Sequence, residues 1–192
     1  VGAAVGAAAG ALAMAAAHLS PALGIAVAFA LSIVLTGAVH LDGFADGCDA
    51  FFAPVAPERR REILKDPRHG TFALAGVAVL VVLWIAALAS IEPRAYPVVL
   101  AVAAAAARWG AVARMPGTLR IVIFVELIAI FALSLLAPSP RGAVIEAAAG
   151  FVAAALVLIW ARERIAGASS GDAYGFAIAI AEVAALIAYA AA

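Results

Sequence analysis

Three aspartates in the run GAVHLDGFADGCDAFF concentrate more chemistry than any other stretch of this chain: Asp42, Asp46 and Asp49 stand at i, i+4 and i+7. On a helix turning about 100° per residue, their side chains fall within an arc of roughly 60°. Like charges on so narrow a face repel one another, and a hard divalent cation with oxygen ligands offsets that repulsion. The competing reading is a solvated acidic face or a set of helix-end caps. The metal reading gains weight from context, because the run emerges from a membrane-length apolar stretch, where carboxylates are costly and mark function.

A second polar run, PERRREILKDPRHGTF, follows. Arg59, Arg60 and Arg61 suit phosphate but are equally explained as charges flanking a membrane helix. Lys65, Asp66 and Arg68 form a tighter group. Gly70 and Thr71 open the next apolar segment, where free backbone N–H groups at a helix start can face an anion. Asp66, before Pro67, serves either as a further carboxylate ligand or as a turn residue. In the third run, GASSGDAYGFAIAIAEVAAL, Asp172 marks the start of the last apolar segment, as a functional carboxylate or a helix cap, and Glu182 lies inside it. An acid inside a lipid-spanning helix needs a partner, and Glu126 in another apolar segment raises the same question. His18 belongs at the far interface. Trp84, Trp109 and Trp160 read as packing or interface anchors.

The elements that must position these groups follow from composition. With 68% hydrophobic and 12% charged residues and a mean hydropathy of +1.15, a water-soluble fold of this length has no way to hide its apolar surface. Helices in lipid do, since their backbone groups satisfy one another. A membrane helix takes about 20 apolar residues. Seven segments qualify, at about 1–19, 22–39, 71–90, 95–113, 120–137, 143–160 and 173–192, separated by turn punctuation such as Ser20-Pro21, Glu92-Pro93-Arg94 and Pro138-Ser139-Pro140. Gly2, Gly6 and Gly10 give the first a face for close helix packing. The expected fold is an all-α integral membrane bundle of about seven transmembrane helices. It is one domain over residues 1–192, with a cytoplasmic catalytic connection at about 40–70.

Placing that connection in the cytoplasm puts ten of the twelve Lys and Arg residues on that side and leaves Arg94 and Arg141 on the other. This is the bias of an inner-membrane, multi-pass protein whose polar connections, and hence its active site, face the cytoplasm. A formal net charge of zero gives no reason to expect nucleic acid. The single cysteine, Cys48, excludes an internal disulfide. The chain opens at Val1 without an initiator methionine, so a native stretch ahead of it is expected.

Taken in order, His40-Leu41-Asp42-Gly43-x-Ala45-Asp46-x-x-Asp49, Lys65-Asp66-x-Arg68-x-Gly70-Thr71-Phe72 and Gly171-Asp172-x-x-Gly175 with Glu182 resemble the cobalamin synthase family, the adenosylcobinamide-GDP ribazoletransferases. The resemblance covers most of the chain. It implies a Mg2+-dependent membrane phosphotransferase that joins adenosylcobinamide-GDP to α-ribazole or α-ribazole 5′-phosphate, releases GMP and completes a late step of cobalamin biosynthesis. Carried onto this sequence, it implies metal ligation by Asp42, Asp46, Asp49 and Asp172 and substrate or phosphate binding by His40, Lys65, Arg68, Gly70 and Thr71. The proton acceptor is to be sought among Asp46, Asp49 and Asp66. The expected partners are those two substrates, membrane lipid and, as an open option, further copies of the chain. A CDP-alcohol phosphotransferase is the nearest enzymatic rival, but Asp42-Gly43 lacks the Arg that follows Ala in that pattern. A small transporter is the non-enzymatic one, disfavoured because the polar residues gather at one face.

Overall fold

The computed structural model describes residues 1–112, 119–167 and 170–192, and among them every regular element is helical. Arg114, Ser169 and the side chains of Arg120 and Glu126 lie outside the described residues. The first two helices are α1 (Gly2–Ala17) and α2 (Pro21–Thr36), followed by α3 (Val39–Phe52) and α4 (Pro57–Ile63). Then come α5 (Thr71–Ala89), α6 (Tyr96–Val112), α7 (Leu119–Leu136), α8 (Pro140–Arg164) and α9 (Gly171–Ala190). Each of the seven apolar segments holds a helix, and α3 and α4 fill the polar connection.

Among the described residues, three helices, α5, α8 and α9, are by themselves long and apolar enough to cross a bilayer, and α2 with α3 adds a fourth crossing if the bent pair counts as one. At 16 residues, α1 and α2 each rise about 24 Å, short of a hydrocarbon core of roughly 30 Å. Among the described residues α5, α8 and α9 thus give the bundle its membrane-length helices, and α1 and α2 are shorter.

Proline punctuation sets the helix starts. Pro21, Pro57 and Pro140 each occupy the first turn of a helix, where the missing N–H is no loss. Between α2 and α3 the chain turns by 88°. Gly37 (φ +61°) and Ala38 (φ +60°) make that turn in the left-handed region, which ends α2 and re-aims the chain before the first aspartate.

The most extensive pairings are α8 with α9, α1 with α6 and α3 with α9. The glycines of α1 lie against backbone of α6 at Ala104, Leu100 and Tyr96, as the four-residue spacing predicts. The buried face of α3 sets Phe44 and Phe51 against Phe176 of α9, at ring-centroid distances of 5.3 and 5.1 Å. Trp160 joins this cluster and Trp84 packs edge-on to Phe29, so both serve as packing anchors.

Candidate functional site

The acidic run does form a helix, and its crossing with α9 is what assembles the site. A Cβ at Gly43 would sit 3.1 Å from the Cα atoms of both Asp172 and Gly175. Only small residues allow this approach, and it brings the first turn of α9 alongside the aspartates of α3. Asp42, Asp49 and Asp172 all act on Asp46 through their negative charge. Residues 126 positions apart thus meet, while among the described residues neither Asp42 nor Asp172 makes an ion pair.

The His69 imidazole lies against Asp46: its Nδ1 is 3.3 Å from Asp46 Oδ1, with the imidazole 44% and the carboxylate 16% exposed. A groove of about 330 Å³ opens between α3 and α5, and Asp42 and His69 supply its polar lining. His69 stands in the quoted RHGTF run, but nothing in its spacing separated it from its neighbours. It is a residue that sequence reasoning missed.

Asp49 is held differently. Its Oδ2 accepts from the Gly70 N–H at 2.5 Å and its Oδ1 from the Ala73 N–H at 3.0 Å. The α5 N-terminus, whose N-cap Gly70 has no side chain to offer, therefore takes its capping carboxylate from α3. The sequence pointed to Gly70 and Thr71 as a place where backbone N–H groups meet an anion, and the anion found there is Asp49. Asp66 is likewise engaged. Arg68 donates to it from Nε at 2.9 Å, from Nη2 at 2.7 Å and from its backbone N–H at 3.1 Å. This fork holds the Asp66 carboxyl at about 2, below its ordinary value of 3.8, through hydrogen bonds first and charge second. Arg68 itself is 86% exposed.

The remaining cations divide by partner. Arg59 pairs with Glu62 and Arg61 with Glu58 at the surface. Arg60 is buried and donates to the Ala53 and Arg164 carbonyls, while Arg164 donates twice to the Phe51 carbonyl. These two arginines satisfy backbone acceptors left over where α3 and α8 end. Lys65, exposed beside them, forms no ion pair among the described residues. His40 points away from the groove to Arg108, which also pairs with Glu182.

Among the described residues, no three side chains of His, Cys, Asp or Glu converge as a ready-made metal cage. The geometry shows a carboxylate cluster with a deficit of positive charge, at the end of the bundle where α3, α6, α8 and α9 expose their polar termini.

The model of the family described as cobalamin-5-phosphate synthase matches residues 1–190. The chain belongs to that family. A relative from Deinococcus radiodurans, named adenosylcobinamide-GDP ribazoletransferase, is 37% identical over 158 residues, which cover 78% of this chain and 57% of the relative. Relatives of the same name from Syntrophobacter fumaroxidans (49% over 59 residues) and Corynebacterium glutamicum (50% over 58) match shorter stretches, 31% and 30% of this chain and 24% and 19% of theirs. The chain thus spans little more than half the length of the Deinococcus protein. No solved structure matches it.

Proposed function

We propose that this chain transfers the cobinamide phosphate of adenosylcobinamide-GDP to α-ribazole or α-ribazole 5′-phosphate. The observation that carries the reading is the meeting of Asp42 and Asp46 on α3 with Asp172 on α9, in a chain whose relatives are named as ribazoletransferases. In the proposed step the ribazole 3′-hydroxyl oxygen forms a bond to the phosphorus nearest the cobinamide arm. The bond from that phosphorus to the bridging oxygen breaks, GMP leaves with the bridging oxygen, and the hydroxyl proton passes to a carboxylate. Asp46 is the acceptor best supported: both oxygens of Asp49 accept backbone N–H groups, and Asp66 is bound by Arg68.

The donor chemistry fits Mg2+. Asp42 and Asp172 have no ion-pair partner among the described residues, and Mg2+ takes one or two carboxylates and completes its shell with water and phosphate oxygens, so three converging protein ligands are not required. Asp42 and Asp172 would hold it, leaving Asp46 beside them free to take the proton, with Asp49 behind them positioning α5 against α3. When bound, the ion would neutralise charge on the diphosphate as the bridge breaks. Lys65 and the exposed side of Arg68 would meet outer phosphate oxygens. His69 and Asp42, lining the groove, would orient the acceptor. Positioning and electrostatics supply most of the rate in such displacements. An inner-membrane location with this face in the cytoplasm belongs to the same proposal, supported by the grouping of Arg60, Arg108 and Arg164 at the site end and of Arg94 and Arg141 at the other.

The decisive assay mixes purified protein, adenosylcobinamide-GDP, α-ribazole and Mg2+ and measures GMP and the corrinoid product. Mg2+-dependent release of both in equal amounts is expected. Absence of transfer, or transfer from a CDP-alcohol instead, would overturn the assignment.

A further inference from the structure

A polar group inside the bundle lies apart from the groove. Arg108, near the end of α6, places Nη1 2.5 Å from Glu182 Oε1 on α9 and 2.8 Å from the Ala104 carbonyl, and Nη2 3.2 Å from His40 Nδ1 on α3. The guanidinium is 15% and the Glu182 carboxylate 20% exposed. Since Arg has only donors, His40 Nδ1 must accept, which leaves its proton on Nε2. One planar fork thus ties three helices together.

We infer that Arg108 is a positioning residue, pinned by Glu182, that fixes the first turn of α3 through His40 and so aims Asp42 and Asp46 toward Asp172. The first turn of α3 needs such a support. It follows two left-handed residues, and its N-cap Ala38 has only a methyl group and makes no side-chain cap. His40 and Asp42 share this turn, and the next residue, Gly43, meets Asp172 and Gly175. The Gly43 contact sets how close α3 comes to α9. A second point is required to set its rotation, and His40 provides it. A cavity of about 70 Å³ runs beside the group, so an unpinned side chain has room to swing. Glu182 holds the guanidinium in the one direction that reaches His40.

The activity arm of the test rests on the function proposed above; the exchange arm does not. Combining Arg108→Met with Glu182→Gln removes both charges together, so no orphaned ion stays buried. The melting temperature should stay within a few degrees of the parent. Amide hydrogen exchange over residues 40–43 should quicken while α9 keeps its protection, and turnover should fall about 100-fold, as expected for a site displaced by an ångström. His40→Ala, which leaves the ion pair intact, should give the same signature and carries the test if the double variant does not fold. His40→Asn, whose amide oxygen can still accept from Arg108, should restore turnover to within about tenfold of the parent. Parental exchange over 40–43 in His40→Ala overturns the inference, as does exchange that quickens equally throughout α9. If the parent itself shows no ribazole transfer, the proposed function fails and the exchange arm alone decides the role of Arg108.

Discussion

At the end of the bundle where α3 meets α9, Asp42, Asp46 and Asp172 gather near the surface with the His69 imidazole beside Asp46, whereas toward the other end Glu146 lies fully buried and neither of its oxygens is hydrogen-bonded among the described residues. Both regions hold acid without sufficient compensation, but they differ in access. The aspartates line or adjoin a groove that can admit a ligand, so a cation or a phosphate-bound metal can supply what the fold withholds. Glu146 is sealed among α6, α8 and α9, between Gly142, which faces Tyr189, and Gly150, which faces Ala106 and Ala185. It has no exposed surface. An unsatisfied acid marks a candidate site only where something can arrive to satisfy it, and the distinction yields measurements at both ends.

The largest effect is expected at Asp46. Asp46→Asn keeps the shape, removes a charge and should lower turnover by about 100-fold or more, the range for losing a positioned acid or base. The variant should insert and fold normally, and its Mg2+-dependent gain in melting temperature should shrink. Parental turnover with an unchanged Mg2+ response would remove the residue from the site.

Arg60 and Arg68 are neighbours in sequence and opposites in structure. Arg60→Ala frees the Ala53 and Arg164 carbonyls and opens a buried position, so it should destabilise by about 1–3 kcal/mol. Arg68→Ala removes an exposed side chain and should leave the melting temperature nearly unchanged while weakening the diphosphate substrate. Equal thermal shifts in the two variants would contradict this division.

At the sealed end, Glu146→Leu removes a buried group that makes no hydrogen bond among the described residues. It should raise stability by about 1 kcal/mol or leave it unchanged, with full turnover. A marked loss of turnover at intact stability would show that access is not what separates the two regions.

The smallest effect concerns Asp66. Its folded value of about 2 lies below the ordinary 3.8, so the stability it contributes is present above the ordinary value and is lost as pH falls from there through about 2. The pair is exposed, so the contribution is small and screened by salt. Carbon-13 titration of the Asp66 carboxyl should show its midpoint rising toward 3.8 in Arg68→Ala. An unmoved midpoint would mean that the fork does not persist in solution.

Composition and spacing alone determined a helical membrane bundle, because only helices bury this much apolar chain in lipid while satisfying their own backbones. They also determined that Asp42, Asp46 and Asp49 share a helix, that α1 packs through its glycines, and that Glu182 requires a partner. These properties are local: a period, a run length, a charge inside an apolar segment. Tertiary structure decided which groups meet. It turned Asp49 from the open groove to the start of α5, placed His69 beside Asp46, chose Arg108 for Glu182 and His40, and drew Arg60 and Arg164 onto helix-end carbonyls. It also sealed Glu146, which spacing did not single out from the other acids. Each of these depends on where helices cross, and crossing is set by which small faces fit together across many residues of intervening chain, as Gly43 does against Gly175.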